Sequence, residues 1–136
     1  MTRYVLDSSS LIRYVDNEAG STRVEEILGE CVAGEAAICL SAVQWGEIAA
    51  NLRRRMGESH ERRILSGLLP SEAEILPVTA ECAVRAGELR VDRQLGYADA
   101  FALDLAMKSS DHILVTADYD FKSVEDLARI EFLPAK

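Results

Sequence analysis

With 136 residues, 49% of them hydrophobic and 28% charged, the chain can bury a core without disulfides or a structural metal, and long disorder is excluded. A formal net charge of −8 excludes a simple nucleic-acid coat. It does not exclude an enzyme acting on nucleic acid, because carboxylates that hold divalent metals are acidic by design and the metal inverts the local sign.

Tyr4-Val5-Leu6 is a short, continuously apolar run followed by the polar turn Asp7-Ser8-Ser9-Ser10, which suits a buried parallel strand. Similar runs recur at Ala37 to Leu40, Ile75 to Val78, Ile113 to Val115 and Ile130 to Leu133. Helical stripes lie between them. Val24, Ile27, Leu28 and Val32 form one, and Trp45, Ile48, Ala49, Leu52 and Met56 form a second that Gly57 can end. His60 to Leu69 reads as a short helix closed by Pro70. Ala80, Val84, Gly87, Val91 and Leu95 make a fourth stripe, and 97–109 is apolar on nearly every side, as a buried helix would be. The alternation predicts a layered α/β fold with a mostly parallel sheet. With no Pro/Gly linker and no repeat, residues 1–136 read as one domain. Cys31, Cys39 and Cys82 sit in apolar stretches without a CxxC spacing and read as buried, reduced thiols. Neither a secretory signal nor an apolar run of membrane-spanning length is visible, so the expected location is cytoplasmic, with no membrane partner.

In parallel α/β sheets, sites lie beyond the carboxyl ends of the strands. Four acidic residues fall there. Asp7 follows the first strand, where a helix N-cap is an equally good explanation. Glu47 lies early in the helix after Ala37 to Leu40, where a solvated first-turn glutamate is the plain alternative. Asp99, in YADAFALDLA, lies in a helix with little polar surface and must be paired, ligate a metal or line a cavity. Asp118 follows Ile113-Leu114-Val115 in VTADYDF, where a turn or cap is the alternative and Asp120 competes for its role. Asp104 lies five positions beyond Asp99, about 140° around the helix, and is expected to face solvent or pair with Lys108. Carboxylates gathered at one edge raise each other's pKa, and a cation relieves this. Mg²⁺ prefers such oxygen donors, and metal ions so held can activate water toward a phosphodiester. His60 and His112 stand in no triad-like pattern, and no GxxxxGK[ST] or GxGxxG loop occurs.

In order, VLDSSSL, SAVQWGE, YADAFALDLA and LVTADYDF resemble the PIN-domain ribonucleases, most closely the VapC-type toxins of type II toxin–antitoxin systems. The resemblance spans nearly the whole chain. It implies a three-layer α/β/α fold and Mg²⁺- or Mn²⁺-dependent endonuclease cleavage of RNA. It gives the acidic positions to Asp7, Glu47, Asp99 and Asp118, with Asp7 and Asp99 as the metal pair. Ser9 and Thr116 match small supporting hydroxyl residues. The resemblance also implies a cognate antitoxin and a homodimer. Arg53-Arg54-Arg55 and Arg62-Arg63, around Gly57, can guide an RNA backbone or form a solvated helix face; Arg85, Arg90 and Arg93 lie on a later helix. Leu52, Ile64, Leu65, Leu68 and Leu69 can line a groove for an antitoxin segment, or simply pack in the core. The rivals are a phosphatase that uses Asp7 and a PIN-like binding module without turnover. Ser9 stands where the phosphatase would want a second aspartate, and the four intact carboxylates speak against the binding module.

Overall fold

The computed structural model describes residues 1–136. Five strands, β1 (Arg3–Leu6), β2 (Ala37–Ser41), β3 (Glu74–Leu76), β4 (His112–Thr116) and β5 (Ile130–Phe132), form one sheet in the order β3-β2-β1-β4-β5, with every pairing parallel. The connections carry α1 (Ser8–Val15) and α2 (Ser21–Val32), then α3 (Ala42–Met56) and α4 (Glu58–Leu68), then α5 (Ala80–Arg93) and α6 (Tyr97–Ala106). A short 3₁₀ helix, Tyr119–Val124, joins β4 to β5.

Strand pleating sorts the apolar runs into two cores. Tyr4 and Leu6 pack with Leu11, Ile27, Ile48 and Leu52 from α1, α2 and α3, whereas Val5 packs with Leu103, Ala106 and Phe121 on the other face. The result is a three-layer α/β/α arrangement. Buried parallel strands need apolar side chains on both faces, which is why β1 reads as an unbroken apolar run rather than an alternating one. Two glycines shape the first face. Gly20 has φ +93°, and a Cβ there would lie 2.8 Å from the Leu133 Cβ; Gly57, at φ +86°, turns the chain from α3 directly into α4.

The structure corrects several sequence expectations. The run at Ile75 to Val78 is not a buried strand; β3 is a three-residue edge strand, and Ile75 and Val78 are exposed. The stripe assigned to α5 is on the wrong side, since Val84 and Val91 are 61% and 76% exposed. Ala83, Ala86 and Leu89 face α6 instead and meet Ala100 and Phe101. Small alanines let the two helices approach closely, so volume and not hydropathy selects the contact face. Cys82 is only half-buried: its Sγ accepts from the Thr79 N–H and closes a cap at the start of α5. Leu52 and Leu68 are core residues, with Ile64, Leu65 and Leu69 packed against the same cluster. No helix is long and apolar enough to cross a membrane.

Candidate active site

The strand order places β2 on one side of β1 and β4 on the other, so connections leave in opposite directions and open a crevice at the carboxyl ends of β1 and β4. Asp7 stands there. Its backbone is extended, and its side chain caps α1 by accepting from the Ser10 N–H at 3.0 Å. Ser9 Oγ lies 2.8 and 2.9 Å from the two carboxylate oxygens, and Thr116 Oγ1 donates to Oδ2 at 2.5 Å. Thr116 Oγ1 also accepts from the Asp118 N–H, and Ser9 Oγ accepts from the Ala117 N–H. The hydroxyls of Ser9 and Thr116 therefore tie the turn after β4 to the end of β1 through this one carboxylate. Burial raises the Asp7 pKa from 3.8 to about 6; the bonds from Thr116, Ser10 and Ser9 oppose the rise, and the Asp118 charge adds to it.

Asp99 lies in the first turn of α6, half-buried, and receives no hydrogen bond from the protein, although it is well placed for the helix dipole. Gly96 precedes the helix, and a Cβ there would come within 3.4 Å of an Asp99 oxygen. Burial and the charges of Asp118, Asp7, Glu47 and Asp120, in that order, raise the Asp99 pKa to about 7. Glu47 lies in the second turn of α3, beyond the expected first turn, and is exposed, accepting from Ser8 Oγ at 3.1 Å. Asp118 caps the 3₁₀ helix through the Asp120 N–H, so a capping role and a place in the cluster coexist. Among the charges acting on Asp99, that of Asp118 is the largest and that of Asp120 the smallest; Asp120 is exposed and lines a groove together with Asp99.

None of these five carboxylates forms an ion pair, although the protein has eleven between arginine or lysine and carboxylates elsewhere. They act on one another's charge, but no three of them stand close enough together to hold a metal ion between them. The donor set contains only hard oxygens, with no thiol or imidazole, and that chemistry fits Mg²⁺ or Mn²⁺.

The sequence reading missed Gln44. It is fully buried; Oε1 accepts from the Ser8 N–H at 2.6 Å, and Nε2 donates to the Ala98 carbonyl at 2.7 Å. One amide thus spans the peptides next to Asp7 and Asp99. A signal was present: Gln44, Ile48 and Leu52 share the buried face of α3, so a polar residue stood in phase with an apolar stripe. Asp104 requires a correction as well. It is buried and paired with Arg85 of α5 at 2.8 Å, rather than solvated or paired with Lys108, because α5 covers that side of α6. Arg53, Arg55 and Arg62 are engaged in ion pairs at the α3–α4 corner; Arg54 and Arg63 are exposed and unpaired there. The cations that line grooves beside the carboxylates are instead Arg13, Lys122 and Lys136.

The family model described as PIN domain matches residues 4–127. The chain belongs to the PIN-domain family. Solved PIN-like structures share its fold. A chain of VapBC2 from Rickettsia felis, bound to a DNA fragment from their promoter, is similar with a TM-score of 0.74 at 20% identity, covering 98% of this chain and 100% of that one. VapC20 of Mycobacterium tuberculosis, a sarcin–ricin loop cleaving toxin, is similar with a TM-score of 0.72 at 19% identity, covering 96% and 99%. The DNA-bound VapBC of Salmonella typhimurium gives 0.72 at 19% identity over 97% and 98%. No curated protein sequence matches the chain. In this PIN domain the four acidic positions expected from sequence lie at one edge of the sheet, with Ser9 and Thr116 bonded to the first of them.

Proposed function

We propose that this PIN domain is a divalent-metal-dependent endoribonuclease, the toxin component of a type II toxin–antitoxin system. The observation that carries the reading is the set of five carboxylates at the β1–β4 crevice, none of them paired with a cation of the protein. Asp7 and Asp99 would hold Mg²⁺ or Mn²⁺, with Glu47 and Asp118 completing the acidic wall. When bound, such an ion would supply Lewis acidity toward water and the phosphoryl oxygens.

The protein's own groups divide the remaining work. Asp7 is immobilised by Ser9, Ser10 and Thr116, so its orientation costs nothing further when a ligand arrives. Asp99 has no protein donor and keeps its lone pairs for a ligand. Gln44 holds the backbones of these two residues at a fixed separation. Asp118, linked to Asp7 through Thr116, turns its charge toward the same space. An antitoxin partner and a homodimer are part of the proposal; similarity to VapBC toxin–antitoxin structures supports the former.

The test is incubation of the purified chain with RNA and Mg²⁺ or Mn²⁺, beside EDTA and the Asp7→Asn and Asp99→Asn variants. Cleavage only by the metal-supplied wild type is expected. Identical RNA in every lane, or cleavage that persists in EDTA, overturns the reading. Toxicity on expression, relieved by a small adjacent reading frame, tests the toxin–antitoxin role.

A further inference from the structure

Two grooves flank the carboxylates, and a single side chain stands between them. The first, about 630 Å³, includes Ser8, Ser9 and Asp118, with Arg13 and Lys136. The second, about 500 Å³, includes Asp99 and Asp120, with Lys122. Tyr119 lines both. Its hydroxyl is consumed inside the fold, donating to the Leu133 carbonyl at 2.8 Å. Its ring meets Phe132 edge to face, with centroids 5.4 Å apart at 87°. The side chain is held at its tip by Leu133 and against Phe132, yet it remains 44% exposed. In the second groove the apolar lining is Leu95 and Tyr119 alone, so the ring offers an aromatic surface in otherwise polar surroundings.

We propose that Tyr119 is a stacking platform for a nucleobase of the RNA beside the cleaved phosphate. The inference rests on the ribonuclease reading above. A tyrosine with a spent hydroxyl and a free ring recognises a π-face rather than a hydrogen-bonding edge. A strand passing from one groove to the other crosses Tyr119 with Asp118 on one side and Asp99 on the other. A base within a duplex has its faces covered by its neighbours, whereas an unpaired base can splay out and stack on an aromatic ring. Arg13 at one end, and Lys122 at the other, 4.0 Å from Glu125, give the strand's phosphates local counter-charges on a chain of net charge −8, while Lys136 is paired with Glu18 of the first groove at 2.7 Å. Aromatic stacking is tolerant of base identity, so the platform selects unpaired structure more than sequence.

The experiment compares wild type with Tyr119→Ala, Tyr119→Phe and Tyr119→Trp on a short single-stranded oligoribonucleotide and on the same strand annealed to its complement. Binding is read separately from cleavage in the Asp99→Asn background, by quenching of 2-aminopurine placed along the strand. Tyr119→Ala is expected to raise KM roughly 5- to 100-fold with a smaller change in kcat, and to abolish the quenching at one position. Tyr119→Phe and Tyr119→Trp, which keep the aromatic face, are expected to stay near wild type, and the duplex is expected to resist cleavage. An unchanged KM and intact quenching in Tyr119→Ala overturns the platform, as does a Tyr119→Phe variant that loses as much as Tyr119→Ala, or a duplex cut as fast as the single strand. Quenching at Tyr119 in a wild type that cuts no RNA would sink the nuclease reading and leave the platform standing.

Discussion

At the α3–α4 corner, Arg53 reaches Glu61 at 2.7 Å, Arg62 reaches Glu58 at 3.1 Å and Arg55 reaches Asp16 at 3.1 Å. At the β1–β4 crevice, Asp7, Glu47, Asp99, Asp118 and Asp120 have no such partner. The corner balances its charges within the fold, pairing exposed arginines with Glu58, which is exposed, and with Glu61 and Asp16, which are largely covered. The crevice takes two carboxylates out of water and leaves their charge to be balanced from outside. A fold keeps such an arrangement at a cost to its own stability, which is the pattern expected where a ligand and not the protein supplies the counter-charge.

The largest effects should come from the crevice. Asp99→Asn is expected to lower the proposed ribonuclease activity by about 10²–10³-fold, the scale of removing one group that stabilises charge in a transition state. The same change should raise the thermal stability of the metal-free protein, since it removes a repelled carboxylate that no donor holds. Lower activity with lower metal-free stability would mark Asp99 as structural and erase the contrast. Gln44→Leu is next: it strands the Ser8 N–H and the Ala98 carbonyl, at about 1–3 kcal/mol for each group left unsatisfied in the interior, measurable by urea unfolding.

Asp7 and Asp99 have folded pKa values raised from 3.8 to about 6 and about 7. The stability they contribute is fully present below 3.8 and lost as pH rises through those folded values. Melting temperature of the metal-free protein should therefore fall from about pH 4 to about pH 7, and Mg²⁺ should offset the fall most at the upper end, where both carboxylates are ionised. A flat profile would remove the strain ascribed to the crevice. The smallest effect belongs to the corner: Arg53→Ala should cost under about 1 kcal/mol, with no change in the response to Mg²⁺.

Much of the site was legible because Asp7 and Asp118 follow strand-like runs, and parallel topology gathers strand ends at one edge. Asp99 was legible as a carboxylate in an apolar helix. Sequence alone could not separate Asp118 from Asp120, since two residues in one turn differ only in direction. Gln44 stood in phase with Ile48 and Leu52, but only the fold shows the two peptide groups that its amide joins. The α5 face was misread because periodicity weighed Val84 and Val91 above the alanines, while contact with α6 depended on shape.

By itself the sequence determined the layered α/β architecture, the apolar strands and the acidic residues at their ends, because these follow from local periodicity and the polarity that folding must bury or expose. Tertiary structure alone decided that Asp104 pairs with Arg85, that Asp99 has no protein donor, and that Tyr119 stands between two grooves. Those are relations between segments far apart in the chain, and they exist only once packing has chosen which faces meet.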